Sequence, residues 1–235
     1  MGKLIVFSGA GLSAESGLST FRSVNGLWSK HAIEQVCDLT TWEANYEAVH
    51  SFHNARRAEV GVAMPNDAHR FVAEWQRRYK TIILTQNVDN LLERAGCTDV
   101  IHLHGHVQEM ICMECQNVWN IGYRPWETND RCPLCGSVGH VKPNVVFFNE
   151  FPPNYRFFKR AFKDLEHNDI VLVTGTSGKV ISVGRYLMGC PGYKIFNALE
   201  ASPTPEVYNE CILLPATQAF PIIDRILRDR ITRRF

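Results

Sequence analysis

Near-continuous apolar runs punctuate the chain. Leu4-Ile5-Val6-Phe7, Thr81 to Leu84, Ile170 to Val173, Lys194 to Phe196 and Cys211 to Leu214 are each strand-length and rich in β-branched or aliphatic residues. They do not alternate with polar positions. Strands buried on both faces read this way, and such strands belong to parallel sheets covered by helices. Helical patterns lie between them. From Trp42 onward, Tyr46, Val49 and Phe52 recur at helical spacing. Asn66-Asp67 follows Pro65 and precedes Ala68, Phe71, Val72 and Trp75, which predicts a capped amphipathic helix. Thr217 is placed to cap a last helix carrying Phe220, Ile223 and Leu227. Strands alternating with helices predict an α/β fold with a doubly wound, Rossmann-like parallel sheet.

Two insertions break the alternation. Residues 24–64 are helical in pattern, and residues 107–142 hold a group of cysteines. The expected organisation is a Rossmann-like domain built from 1–23, 65–106 and 143–235. The helical module and the cysteine module together form a smaller lobe.

Composition changes this picture little. The 235 residues are 45% hydrophobic and 21% charged, with net charge +1, so no global field favours nucleic acid or a membrane. The basic cluster Arg225, Arg228, Arg230, Arg233 and Arg234 reads as a solvated helix end. The first apolar run gives way at once to Ser8-Gly9-Ala10-Gly11, unlike a signal peptide, and no stretch reaches membrane-span length. Cys37, Cys97, Cys190 and Cys211 are scattered without disulfide-like spacing, which suits a reducing compartment. The expectation is a cytosolic, monomeric protein with no membrane partner and no nucleic-acid partner.

Several segments carry candidate chemistry. Gly9-Ala10-Gly11-Leu12-Ser13-Ala14 fits a glycine-rich phosphate turn after a strand, though a plain turn explains it as often. No acidic residue ends a second strand about 20 residues on, as an ordinary dinucleotide fold requires. That region is the polar loop Phe21 to Trp28, where Arg22 suits a phosphate or merely the surface. Gln86-Asn87-Val88-Asp89 follows a strand, where α/β proteins bind ligands, and Asn87 or Asp89 could equally cap a helix. Gly175-Thr176-Ser177 closes another strand. His104 is a candidate general base, flanked by His102 and His106 at alternate positions, and spacing alone does not choose among them. Cys112, Cys115, Cys132 and Cys135 form C-x2-C-x16-C-x2-C, the spacing of a four-thiolate zinc site. Four thiolates fill the tetrahedron, so this metal is structural. The loop between the cysteine pairs holds Trp119, Tyr123 and Trp126 but few cations, thin support for phosphate contact.

In order along the chain, these segments resemble the sirtuin family of NAD-dependent protein deacylases, nearest its bacterial and mitochondrial desuccinylase-like class. The matching pieces are Gly9 to Gly17 with Thr20-Phe21-Arg22, Gln86 to Asp89, His104-Gly105, the cysteine array, Val145 to Glu150 and Gly175-Thr176-Ser177. The resemblance implies NAD and zinc as cofactors and an acyl-lysine protein or peptide as substrate. It assigns the pyrophosphate to Gly9, Ala10 and Gly11 with Arg22, and a shielding role over the reactive ribose to Phe21. The nicotinamide carboxamide falls to Asn87 and Asp89, and the adjoining ribose to Gln86. The adenosine half falls to Gly175, Ser177 and Ala216, with Asn197 or Ala198, and Glu200, near its ribose. Ser13, Glu15, Trp28, Val88 and Thr176 join the cofactor set by lying within the same segments. In family chemistry the acyl oxygen attacks the ribose as nicotinamide leaves, and His104 is the general base that follows.

A narrower resemblance concerns the acyl group. His53-Asn54-Ala55-Arg56 falls where desuccinylating sirtuins carry Tyr-x-x-Arg, so Arg56 is a candidate for an acyl carboxylate and His53 replaces the tyrosine. An exposed helix face explains the pair nearly as well. Val145 and Phe147 are assigned to the substrate peptide. Departures from the family pattern include Leu92 for histidine, Asn149 for glycine and Ser182 for proline. NAD hydrolysis or ADP-ribosyl transfer on the same scaffold is the alternative enzyme reading. A non-catalytic zinc-ribbon module is the alternative outside enzymes.

Overall fold

The computed structural model describes residues 2–20, 32–178 and 180–232. Phe21, Arg22 and Trp28 lie outside the described residues. Strands β1 (Leu4–Ser8), β2 (Thr81–Thr85), β3 (Ile101–His102), β4 (Gly105–Cys112), β5 (Val118–Asn120), β6 (Val141–Val145), β7 (Ile170–Thr174), β8 (Tyr193–Asn197) and β9 (Glu210–Ile212) fall into two sheets. The helices are α1 (Gly11–Ala14), α2 (Ile33–Val36), α3 (Tyr46–Val62), α4 (Asp67–Arg78), α5 (Leu91–Arg94), α6 (Tyr155–Lys163), α7 (Val183–Leu187) and α8 (Ala216–Thr232).

The larger sheet is parallel throughout, in the order β3-β2-β1-β7-β8-β9. Its apolar runs are continuous because successive side chains serve different layers. Leu4 and Val6 join Ile83, Leu172 and Ile195 beneath Val72 and Trp75 of α4 and Phe220, Ile223 and Leu227 of α8. Ile5 and Phe7 face the other way, onto Phe158 and Phe162 of α6 and Val183 and Leu187 of α7. Asn66 caps α4 as expected, accepting from the Ala68 and His69 amides. The chain leaves β1 toward β2 and later returns on its other side at β7. The strand order therefore reverses between β1 and β7, which opens a crevice at their carboxyl ends.

The smaller sheet, β5-β4-β6, is antiparallel. It packs on the helical insertion: Val36, Trp42, Val49 and Phe52 share a core with Val145 and Phe147. Asn54 brackets Trp126, donating to its carbonyl at 3.0 Å and accepting from its amide at 2.8 Å.

Some boundaries differ from those expected. The ribbon strands run out to Gly105 and Val145, past the 107–142 insertion, because the sheet continues beyond the metal knuckles. Helix α3 begins at Tyr46, with Trp42 in the turn before it. Strand β9 is Glu210–Ile212, not 211–214. Thr217 does not cap α8. It sits in the first turn, and the Glu15 carboxylate takes both its amide at 3.0 Å and its hydroxyl at 2.6 Å. Trp126 is buried, its indole donating to the Tyr46 hydroxyl, so this aromatic docks the ribbon onto α3 and is not offered to nucleic acid.

Candidate active site

The two glycine turns meet at the crevice. The Gly9 amide donates to the Thr174 carbonyl and the Gly11 amide to the Gly175 carbonyl, at 3.0 and 2.8 Å. A Cβ on Gly175, which has φ +63°, would stand 2.4 Å from the Leu12 amide nitrogen, and one on Gly11 would stand 2.7 Å from the Gly175 Cα. The glycines thus let β1 and β7 bring their end turns into backbone contact. The Gly9 and Gly11 amides are spent on that contact, so a pyrophosphate at this turn takes its hydrogen bonds from other donors.

Next to the turn lies a closed polar network. The Asn87 side chain donates to Ser13 Oγ at 3.1 Å, and Ser13 Oγ donates to Asp89 at 3.0 Å. His69 Nε2 reaches the same hydroxyl at 3.3 Å. His69 Nδ1 lies 3.2 Å from the Asn66 amide nitrogen and 3.0 Å from Asn66 Oδ1, so the ring joins Ser13 to the cap of α4. Burial pulls His69 down to about 4, against the attraction of Asp89, and keeps the ring neutral. Asp89 also accepts from the Leu91 amide at 3.1 Å, which ties it to the first residue of α5. Sequence reasoning missed His69. Its signal was present, because it occupies the third position after a helix-capping asparagine, where a capping box puts Glu or Gln.

His104 follows β3. Its Nδ1 lies 3.1 Å from the Gln86 carbonyl and its Nε2 lies 3.1 Å from the Tyr155 hydroxyl. A carbonyl only accepts, so the hydrogen is on Nδ1 and the lone pair on Nε2. Burial lowers the imidazole below its ordinary value, and the bond to Gln86 opposes this in part. The ring is a neutral base. Gln86 Nε2 is buried without a hydrogen-bond partner among the described residues. An amide donor waiting beside a base suits a polyhydroxylated ligand such as a ribose. His102 is taken up elsewhere, bonded to the Asn87 carbonyl at 2.7 Å and to Glu93 at 2.8 Å. The His106 ring lies against it, centroids 3.8 Å apart and planes tilted by 40°. Of the three histidines, His104 is the one bonded at the crevice through the Gln86 carbonyl.

The cysteines converge. Cys112 and Cys135 sulfurs are 3.7 Å apart, Cys115 and Cys132 3.6 Å, and all four lie within 4.8 Å of one another. Ligands about 2.3 Å from a tetrahedral zinc stand about 3.8 Å from each other, while a disulfide needs about 2.05 Å. The set therefore fits zinc and no disulfide. Each pair closes a knuckle whose next residue is left-handed, Gln116 at φ 60° and Gly136 at φ 75°. Its amide returns to the first cysteine's carbonyl, at 2.8 and 2.9 Å.

Residues 9–182 match the Sir2 family. The chain is 41% identical to the NAD-dependent protein deacylase of Helicobacter hepaticus, over 97% of this chain and 98% of that protein. It is 38% identical to the NAD-dependent protein deacylase of Campylobacter jejuni, over 97% and 96%. This chain belongs to the Sir2 family. Among solved structures, a Sir2 homologue in complex with ADP-ribose superposes with TM-score 0.88 at 29% identity, covering 99% of this chain and 94% of that one. A Sir2 homologue in complex with NAD gives TM-score 0.83 at 31% identity, covering 97% and 90%.

Within this Sir2 fold, several residues assigned by resemblance have other work. Asn197 is buried and its amide is consumed: it accepts from Thr174 Oγ1 at 2.8 Å and donates to the Ile212 and Leu214 carbonyls at 2.9 Å each. It clamps three strands, which removes its amide hydrogens from any ribose. Ala198 packs against the α6–α7 core, and Glu200 is exposed. Ala216 is buried in the α4–α8 core at the helix start. Glu15 holds Thr217, as described. Thr176 Oγ1 accepts from the Gly178 amide at 3.2 Å, and Ser177 beside it is half-buried. The Val88 carbonyl accepts from the Val107 amide at 2.9 Å, tying the crevice to the ribbon.

On the substrate side, Phe147 is sandwiched. His53 stacks on it at 5.6 Å, and the Lys142 ammonium lies 4.3 Å from its centroid. His53 donates through Nε2 to the Val36 carbonyl at 3.2 Å, and burial holds it well below its ordinary value. Arg56 Nη1 is bonded to Ser19 and, at 2.9 Å, to Glu59. A carboxylate arriving at Arg56 competes with Glu59. Val145 is buried in register with Gly105, and the next amide, Val146, donates to the His104 carbonyl at 2.9 Å. The departures also find places. Asn149 has φ 64°, the left-handed region a glycine normally fills and asparagine tolerates, and its side chain reaches Asp38 at 2.8 Å. Ser182 Oγ donates to the Gly178 carbonyl at 3.2 Å, a bond proline lacks. Leu92 is simply core.

Proposed function

We propose that this chain is an NAD-dependent protein-lysine deacylase with His104 as general base. The observation that carries the reading is the neutral imidazole at the strand-end crevice, its lone pair on Nε2, beside the unpartnered amide of Gln86. When bound, NAD supplies an activated ribose as acceptor for the acyl group. Around it, Gln86 offers its amide to a ribose hydroxyl, and Asn87, held by Ser13, and Asp89 present the carboxamide-binding face. The turns at Gly9 to Gly11 and Gly175 to Ser177 line the phosphate and adenosine side, with Arg22, Phe21 and Trp28 assigned by resemblance. His53, Arg56, Val145 and Phe147 bound the substrate side. Zinc on Cys112, Cys115, Cys132 and Cys135 holds the ribbon and takes no part in the reaction. The chain is read as two lobes, a Rossmann-like one and a smaller one made of both insertions, acting as a cytosolic monomer without nucleic acid. No helix among the described residues is long and apolar enough to cross a membrane.

Mass spectrometry of products from NAD and a panel of acyl-lysine peptides tests this. Wild type should yield free-lysine peptide, nicotinamide and acylated ADP-ribose, and His104→Ala should lose about 100- to 10,000-fold. Nicotinamide release independent of peptide would replace the reading with NAD hydrolysis. The same panel with Arg56→Ala reads acyl preference: an unchanged acetyl-to-succinyl ratio removes the acidic-acyl assignment.

A further inference from the structure

The lone pair on His104 Nε2 is not open. The Tyr155 hydroxyl stands 3.1 Å from it. With Nδ1 carrying the ring hydrogen, only the phenol can donate in this contact. Tyr155 is well placed to hold still. It opens α6, its ring packs on Phe158 at 6.1 Å, and Phe158 meets Phe7 of the central strand at 5.5 Å. Asn154, the preceding residue, donates to the His102 carbonyl at 2.7 Å, pinning the helix start two residues from the base. Burial raises the phenol to about 12, so it stays protonated over the working range of an imidazole.

A hydroxyl both donates and accepts. In the resting protein Tyr155 O–H donates to the neutral ring. Once His104 has taken a proton, Nε2–H can donate to the same oxygen. We propose that Tyr155 is a positioning residue for the base: it holds the Nε2 lone pair in place at rest and inverts its hydrogen bond to receive the imidazolium. The proton balance is simple. One proton leaves the incoming hydroxyl for Nε2, the phenol keeps its own by rotating about its C–O bond, and no other group changes charge. The imidazolium forms in a site whose burial opposes charge, so an acceptor fixed beside it lowers the cost of that step.

This inference rests on His104 being the base, and the experiment separates the two. Nicotinamide exchange into NAD in the presence of acyl-peptide reports the step before the base acts, and deacylation includes the base step. Tyr155→Phe should slow deacylation roughly 10- to 100-fold, the worth of one hydrogen bond to a charged group, and leave exchange within about twofold. In the His104→Ala background it should have no further effect on deacylation. In the protein without ligands, Tyr155→Phe should move the ¹⁵N resonance of His104 Nε2 toward that of a lone pair without a donor. Equal loss of exchange and deacylation, no loss in either, an unchanged ¹⁵N resonance, or a further loss on top of His104→Ala each overturns the proposal. Full deacylation by His104→Ala alone instead overturns the base assignment.

Discussion

The two lobes bury polar side chains in different ways. In the larger lobe, Ser13 meets Asn87, Asp89 and His69, and Asn197 uses its oxygen and both amide hydrogens, while Gln86 Nε2, Ser16 Oγ and one Glu93 oxygen, on separate elements, have no partner among the described residues. In the small lobe the atoms left over gather on one helix, α3. His50 and His53 each give Nε2–H to a carbonyl, but Nδ1 of each and Nε of Arg57 have no partner among the described residues. Each such atom costs about 1–3 kcal/mol unless water reaches it. A parallel sheet places its strand ends by backbone registry, so side chains there meet partners at set distances. The small lobe has a short antiparallel ribbon and one long helix, and it draws on the thiolate site for what registry does not supply.

Removing zinc is the largest way to break that comparison. Chelation or Cys132→Ser should forfeit on the order of 10 kcal/mol of local folding free energy. Trp119 and Trp126 fluorescence should shift to the red while the far-ultraviolet signal of the α/β lobe persists. A single loss of both signals together would show that the lobes do not differ as described.

Acid should affect both lobes alike. Burial pulls His50 and His69 to about 4, Arg57 adding to the effect at His50 and Asp89 opposing it at His69. Their folded values are depressed, so their contribution is whole above about 6.5, the unfolded value, and is lost as pH falls toward 4. Each contributes on the order of 2–3 kcal/mol across that window. Urea midpoints between pH 7 and 4 should fall, and His69→Gln should remove its share of the slope. A flat profile would mean that one or both rings take up a proton in place.

The smallest expected effect sharpens the contrast at one residue. Asn66 caps α4 and also donates to the Leu12 carbonyl at 2.9 Å. Asn66→Ala should cost about 1 kcal/mol, within the 0.5–2 kcal/mol range of lost caps, read as a shift in denaturation midpoint. A much larger loss would show that the crevice network collapses with its cap.

The sheet was legible because its strands are apolar on both faces, and Leu4 to Phe7 could hardly be anything else. The edge strand β3 was not: Ile101–His102 is too short for periodicity to register. The ribbon strands were masked by the cysteines and by the register break in β4 between Gly105 and Met110. At the site, spacing alone identified the metal ligands, whereas the rest of the site needed the likeness of several segments at once. Glu15 and Asn197 show what such likeness leaves out, since neither side chain's bonds to distant backbone and hydroxyl groups can be seen in one dimension. Tyr155 carried no signal at all. It follows His104 by 51 residues and reads as one aromatic among several.

His104 stands at a seam. His102 ends a strand of the parallel sheet and Gly105 begins one of the ribbon, leaving only Leu103 and His104 to span the two. Gly105 sits so close to the Asn144 carbonyl that a Cβ would lie 2.0 Å away, so the ribbon is anchored hard against the base. At this crossing the imidazole stays with the larger lobe, because both its nitrogens are bonded there, to the Gln86 carbonyl and the Tyr155 hydroxyl. The proton acceptor is thus held by one lobe while the very next residue belongs to the other, so the ribbon's attachment point and the base are one peptide bond apart.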